Sequence, residues 1–290
     1  MSELKKYKMF IDGEWVDSES KKTFKTLNPE NNEPWAEVPE ASEKDIDIAV
    51  NAAQKAFEGS WPNLFPRERA KYLKAIANEL RENAELLGKI ETVDTGKLFK
   101  ETKTQANYIA EYYDYYAGLA DKVEGTVLPI DKANMHVITT RVPIGVVAAI
   151  IPWNSQMLLT AVKLAPALAM GNTVVIKSSE LAPATLFEFG KLIEKTGIPK
   201  GVVNIVSGFG EPCGRALTSH KLIERVAFTG GPETARHIIR NSAENLSQVS
   251  LELGGKSPVV VFEDADQENA LNGIAAGIFG ASGQSCIAGS

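Results

Sequence analysis

Cysteine is scarce in this chain: two among 290 residues, Cys213 and Cys286, lie far apart and outside any CxxC pair. A disulfide framework and a cysteine-built zinc cluster are thereby excluded, no metal site is expected, and a reducing, cytoplasmic compartment is the expectation. Histidine is almost as rare. His136, His220 and His237 read as a strand residue, a helix end and a helix residue, each in a packing or surface role, and none stands near Cys286 or Glu252 in sequence. A cysteine–histidine dyad gains no support, so a general base has to be a carboxylate. Long apolar runs are missing too. The longest, VVAAIIPW from Val146 to Trp153, falls far short of the roughly 20 residues that cross a bilayer. The opening MSELKKYKMFIDGEW lacks the apolar stretch of a signal peptide. There is no basic excess either: a net charge of -6 gives no electrostatic reason to bind nucleic acid or an anionic membrane.

What is present is an ordinary globular composition, 44% apolar and 23% charged, enough to bury one large core or two smaller ones. LNPENNEPW (27 to 35) reads as a loop after a short hairpin. From Ser42 to Gly118 the spacing is helical. Ser42 is placed to cap SEKDIDIAVNAAQKAF, Pro66 opens a second amphipathic helix through PRERAKYLKAIANELRENAELLGKI, and TQANYIAEYYDYYAGLA forms a third. Its tyrosines Tyr108, Tyr112, Tyr115 and Tyr116 read as a packed face. After Ala120 the β-branched stretches GTVLPI and MHVITTRVPIGVVAAI flank the turn-like DKAN, an extended hairpin.

The second half alternates short β-rich runs (GVVAAIIP, NTVVIK, VVNIVSG, RVAFTG, SPVVVF) with helical stretches beginning near Ser155, Ala182, Glu211 and Pro232. That is the pattern of βαβ units in a parallel sheet, so the fold class is α/β. Ligands of such sheets sit beyond the carboxyl ends of the strands, where this chain carries PWNSQ, KSSE, SGFGEPCG and TGGPETA, with LELGGK shortly before the fifth run. SGFGEPCG and TGGPETA are glycine turns able to aim helix N-terminal N–H groups at phosphate, or simply tight turns; neither fits GxGxxG. Lys177 and Glu180 suit a nucleotide ribose, the carboxylate accepting from a diol and repelling a 2′-phosphate, or form a solvated surface pair. Cys286, among Gly283, Ser285, Ala288 and Gly289, is either a reactive thiol or a small buried hydrophobe.

PWN, KLAPALAMGNTVVIKSSE, FTGG, LELGGKSPVVV and GQSC occur here in one order. With FIDGEWVDS, NPENNEPWAEVPEAS and PIGVVAAIIPWN they make essentially the whole chain resemble the NAD(P)-dependent aldehyde dehydrogenase superfamily. The resemblance implies oxidation of a small-molecule aldehyde to a carboxylic acid with NAD, NADP being disfavoured by Glu180. In that family pattern Cys286 matches the nucleophile, Glu252 the general base, Asn154 a donor to the oxyanion beside the Cys286 backbone N–H, and Lys163 an inward lysine near the site. The cofactor contacts fall on Ile150, Ile151, Pro152 and Trp153, on Lys177, Ser179 and Glu180, on Gly210 and Gly214, on Phe228, Thr229, Gly230, Gly231 and Thr234, and on Leu253 and Gly254.

The implied fold is a doubly wound parallel-sheet cofactor domain from residues 1–122 and 143–253. It is interrupted by an oligomerisation hairpin at 123–142 and followed at 254–290 by the start of a second α/β catalytic domain. The complete enzyme is expected to be a homodimer or homotetramer, and this chain to stop just after its nucleophile. A nucleotide-binding remnant without activity and a cofactor-independent thiol esterase stay open as alternatives. Two departures from the family pattern stand out. Ser155-Gln156 replaces Phe-Pro after PWN, with a wider substrate tunnel expected, and Gly231 replaces a serine, leaving phosphate contacts to backbone N–H groups.

Overall fold

The computed structural model describes residues 4–290. Short strands come first: β1 (Lys5–Lys6), β2 (Met9–Ile11), β3 (Glu14–Val16), β4 (Thr23–Asn28) and β5 (Glu33–Pro39). Four helices follow, α1 (Glu43–Glu58), α2 (Pro66–Glu82), α3 (Ala84–Thr95) and α4 (Phe99–Leu119), then a two-stranded ribbon of β6 (Val127–Leu128) and β7 (Val137–Ile138). The remainder alternates: β8 (Val146–Ile150), α5 (Gln156–Ala169), β9 (Thr173–Lys177), α6 (Ala184–Lys195), β10 (Val203–Val206), α7 (Arg215–Thr218), β11 (Ile223–Gly230), α8 (Pro232–Ser242), β12 (Gln248–Leu253) and α9 (Gln267–Phe279).

Local chemistry accounts for the boundaries. Asp12 and Gly13 both take left-handed φ, 51° and 73°, which matches the strand twist and closes the β2–β3 hairpin. Ser42 and Asp45 form a reciprocal capping box at α1: the Asp45 N–H donates to Ser42 Oγ at 3.3 Å, and the Ser42 N–H to the Asp45 carboxylate at 2.7 Å. Pro66 supplies the preset φ of a first helical position.

The sheet has the order β12-β11-β8-β9-β10-β2-β3, with β8 to β12 all parallel and β2 and β3 antiparallel at one edge. Both faces are covered, and the period-2 alternation of strand side chains sorts the core into two layers. Val147, Ala149, Ile151, Val174, Ile176, Val203 and Ile205 pack on one face with Ala161, Leu164 and Leu168 of α5 and Leu186, Phe187 and Phe189 of α6. Val146, Ala148, Ile150, Val175, Val226 and Phe228 point the other way, against Ile46, Ala49 and Val50 of α1, Leu217 of α7 and Ala235 and Ile238 of α8. The fold is mixed α/β with a doubly wound parallel sheet: the alternating runs imply the class and the parallel strands, and the family resemblance implies the double winding.

Four details depart from the sequence reading. PRERAKYLKAIANELRENAELLGKI is two helices, broken at Asn83, whose side chain donates to the Glu79 carbonyl at 2.8 Å; asparagine competes with helix continuation in this way. The loop expected at 27 to 35 shrinks to a turn, because β4 and β5 pair through Leu27↔Pro34 and Asn28↔Glu33. The tyrosine stripe is not a packed face. Thr102, Ala106, Ile109, Ala110, Tyr113 and Ala117 carry the inward spacing, so Tyr113 is buried while Tyr108 and Tyr115 are exposed and Tyr112 and Tyr116 half-buried. SPVVVF is not a strand: Val260 and Phe262 are 70% and 71% exposed, and the fifth parallel strand is the less β-branched QVSLEL of β12. Strand propensity expresses fit to a half-buried pleated surface, and SPVVVF makes one isolated bridge, Ser257↔Gly289, and joins none of the described sheets.

Helices α3 and α4 meet at Gly88, where a Cβ would stand 2.9 Å from the Lys103 backbone. Gly88→Ala should therefore lower stability by roughly 1–3 kcal/mol through overpacking, read as a fall in the urea midpoint at unchanged m-value.

Candidate active site

The chain leaves β8 for β9 and β10 on one side of it, then crosses back to β11 and β12 on the other. Helices α5 and α6 pack on one face of the sheet and α7 and α8 on the opposite face, so the connections diverge beyond the carboxyl ends of β8 and β11. Such a switch point leaves a crevice. Here it is a cleft of about 450 Å³.

Each of the parallel strands β8 to β12 contributes to its lining through its carboxyl end or the turn that follows it. From β8 come Ile150, Ile151, Pro152, Trp153 and Asn154; from β9 Lys177, Ser179 and Glu180; from the turn after β10 Gly210 and Gly214. From β11 and α8 come Phe228, Thr229, Gly230, Gly231 and Thr234, and from the end of β12 Glu252, Leu253 and Gly254, with Cys286 completing the wall. Of the residues matched to the family's catalytic and cofactor positions only Lys163 lies elsewhere, in a second cleft of about 730 Å³. Glu252, Cys286, Phe228 and Thr229 border both clefts, so the two meet at the cysteine.

At the far end the Lys177 ammonium is buried, donates to the Ser178 carbonyl at 3.0 Å and stands 3.7 Å from the half-exposed Glu180 carboxylate. Lys177 is thus more than a solvated surface pair. A Cβ on Gly210 or Gly231 would meet nothing, so the wall is open there, and Gly231 heads α8 without any side-chain cap. Six further lining residues escaped the sequence reading: Glu211, Arg215, Thr218, His237, Ile238 and Asn241. A signal existed for four positions of α8, because Thr234, His237, Ile238 and Asn241 follow i, i+3, i+4, i+7 from a glycine turn. His237 is therefore a cleft residue and not a purely packing or surface one.

At the near end Cys286 is exposed. The Asn154 side-chain N–H donates at 2.6 Å to the carbonyl of Gln284, two residues before the thiol, so the amide lies against the cysteine loop and is engaged by that loop's backbone. Glu252 pairs in register with Thr229 and is exposed, although its neighbours in sequence are apolar or small. The Lys163 ammonium donates to Thr229 Oγ1 at 2.5 Å. Ser155 lines the second cleft, whereas Gln156 is fully buried and lines neither, so only the first of these two residues can bear on tunnel width.

Burial pushes the Lys163 ammonium down to about 8, opposed by the charge of Glu252. The folded value is then below the unfolded one, so between pH 8 and about 10.5 the unfolded chain holds the extra proton and stability rises with pH. Urea unfolding across that window should show the wild type gaining on Lys163→Met; parallel curves would contradict this environment.

Similarity to known proteins gives the family of the chain. The profile of the aldehyde dehydrogenase family matches residues 15–290. The chain is 52% identical over 288 residues to (Z)-2-((N-methylformamido)methylene)-5-hydroxybutyrolactone dehydrogenase of Acinetobacter baylyi, covering 99% of this chain and 59% of that protein. An NAD+ complex of aldehyde dehydrogenase from Bacillus cereus superposes with a TM-score of 0.95 at 43% identity, covering 98% of this chain and 58% of that one. A betaine aldehyde dehydrogenase point mutant from Staphylococcus aureus, in complex with NAD+ and carrying a BME-modified cysteine, gives 0.94 at 40%, covering 97% and 57%. The chain thus spans less than three fifths of the length of these relatives. On the sheet topology, the strand-end residues and these matches together, it belongs to the aldehyde dehydrogenase family.

Proposed function

We propose that this chain carries the cofactor cleft and the nucleophile loop of an NAD-dependent aldehyde dehydrogenase, which oxidises an aldehyde to a carboxylic acid through a covalent cysteine adduct. The observation that carries this reading is the meeting of a strand-end cleft with a second, mostly apolar cleft at Cys286. One is suited to a dinucleotide, the other to a carbonyl substrate. Residues 1–122 and 143–253 then form the cofactor domain, 123–142 an oligomerisation hairpin and 254–290 the opening of the catalytic domain. The complete enzyme is a homodimer or homotetramer.

The residues present fit NAD. Gly210 and Gly231 leave space where a side chain would intrude, the uncapped start of α8 offers N–H groups to a phosphate, and Lys177 with Glu180 faces a ribose. When bound, the nicotinamide supplies the hydride acceptor that converts the cysteine-bound adduct to a thioester. The protein does the rest. The Cys286 thiolate adds to the aldehyde carbon, and the carbonyl oxygen becomes an oxyanion. Asn154 keeps one N–H of its amide on the Gln284 carbonyl and gives the second to that oxyanion, beside the Cys286 N–H. An asparagine can do this at any pH because its amide does not titrate. Glu252 takes a proton from the water that hydrolyses the thioester, releasing the acid and the free thiol. Lys163, in the second cleft with Glu252, keeps a positive charge beside that carboxylate.

The test is steady-state turnover of the complete protein on an aldehyde panel with NAD and with NADP. Cys286→Ser should lose on the order of a thousandfold or more in kcat/KM; retention of NADH formation would exclude the mechanism. Glu180→Gln should raise the NADP-to-NAD efficiency ratio by about tenfold, since the carboxylate repels the extra phosphate. An unchanged ratio would remove Glu180 from cofactor choice.

A further inference from the structure

The segment after β12 touches the rest of the chain lightly: α9 buries no residue, and Ile287, beside the thiol, is exposed. Its side-chain hydrogen bonds to the preceding domain converge on the residues just before Cys286. The Gln284 carbonyl accepts from Asn154 Nδ2 at 2.6 Å, Gln284 Nε2 donates to the Thr95 carbonyl at 2.8 Å, and Ser282 Oγ donates to the Gly96 carbonyl at 3.4 Å. Thr95 and Gly96 form the C-terminal corner of α3, where helical carbonyls have no partner within the helix and Gly96 turns the chain with φ 74°. Gln284 thus ties its loop to two separate segments, to the loop after β8 through its backbone and to the α3 corner through its side chain.

That corner is pinned in turn. Lys97, two residues on, has 2% of its side chain exposed, and its ammonium lies 2.5 Å from the Glu91 carboxylate, itself 3% exposed. The same ammonium donates to Gln105 Oε1 at 3.4 Å and to Ser155 Oγ at 3.3 Å. Ser155 follows Asn154 directly. One buried cation therefore holds together the α3 corner that fastens Gln284 and the loop after β8 that presents Asn154.

We propose that Gln284 is a positioning residue for the nucleophile, setting the distance between the Cys286 thiol and the Asn154 amide, with the Lys97–Glu91 pair as its anchor. This rests on the reading of Cys286 and Asn154 as nucleophile and oxyanion donor. A buried ion pair is weak as a source of stability but strong as a source of registry, because neither partner can move without leaving the other unpaired. Displacement of about 1 Å at a reacting group costs up to roughly a hundredfold in rate, so loosening this grip should be visible in turnover.

The test uses Gln284→Met in the complete enzyme, which keeps the length of the side chain and removes its donor. Amide exchange of the peptide covering 280–290 should accelerate by about tenfold or more, with the peptide covering β8 unchanged. The kcat/KM for an aldehyde should fall roughly 10- to 100-fold, while the NAD dissociation constant stays within about twofold, since Gln284 does not line the cofactor cleft. The double variant with Asn154→Ala should be no slower than Asn154→Ala alone, the mark of two residues acting through one contact. Gln284→Glu, which places an acceptor against the Thr95 carbonyl, should reproduce the effect and serves if the methionine variant fails to fold. Unchanged exchange, unchanged turnover or additive losses would each overturn the proposal. Absence of Cys286-dependent NADH formation by the wild type would instead defeat the functional reading, and the exchange measurement would still decide whether Gln284 holds the loop.

Discussion

Strand β8 is paired in parallel on both sides, with β9 through Val146↔Thr173 to Ile150↔Lys177 and with β11 through Val147↔Arg225 to Ile150↔Phe228. This double pairing is the constraint on which the site depends. A parallel strand flanked on both sides must have both faces covered, which explains why its five residues are all buried and apolar. It also makes β8 the place where the winding reverses, so the loop leaving it falls beside the loops leaving β9 and β11. Register then does the rest: Ile150 opposite Lys177 and opposite Phe228 brings three strand ends to one level.

Behind the cleft the domain buries charge instead of avoiding it. Asp94 accepts from the Ala184 N–H at 2.7 Å and from Thr26 Oγ1 at 3.0 Å, so a carboxylate from α3 caps α6 from a distance of 90 residues in sequence. Burial pushes its carboxyl up to about 7, against the pull of those donors. Lys97 and Glu91 lie on the same stretch, and Lys177 is buried at the end of β9, in the cleft lining. Each cation has a carboxylate or carbonyl partner, which offsets the cost of desolvation and fixes direction. The result is a rear wall in which helices α3, α4 and α6 are held in register while the loops in front remain accessible.

The two ends of the molecule differ in the same terms. Before Gly254 most β-branched strand residues are covered. After Gly254, Val260, Phe262, Leu271, Phe279 and Ile287 stand in solvent, and among the described residues the ribbon of β6 and β7 packs on no other sheet. Such surfaces are apolar enough to associate. The second cleft runs between these two regions, bordered by Val142 and Ile144 near the ribbon and Ile287 near the thiol.

Local rules in the sequence determined much of this. The Ser42–Asp45 box, Pro66, the Asp12-Gly13 turn and the alternation of β-rich and helical runs are decided within a few residues, so the α/β class and most element starts were legible before any coordinates. So was the set of strand-end residues, because chain order in a parallel sheet dictates which turns share an edge. What the tertiary structure alone decided depends on contacts between distant segments. The break at Asn83, the burial of Tyr113 in place of its neighbours and the choice of QVSLEL over SPVVVF as the fifth strand follow from which surface each segment packs against. The engagement of Asn154 by Gln284, and of Gln284 by Thr95, joins residues up to 189 positions apart. No local pattern encodes such a bond, because its free energy exists only once three separate segments have been brought to the same point in space.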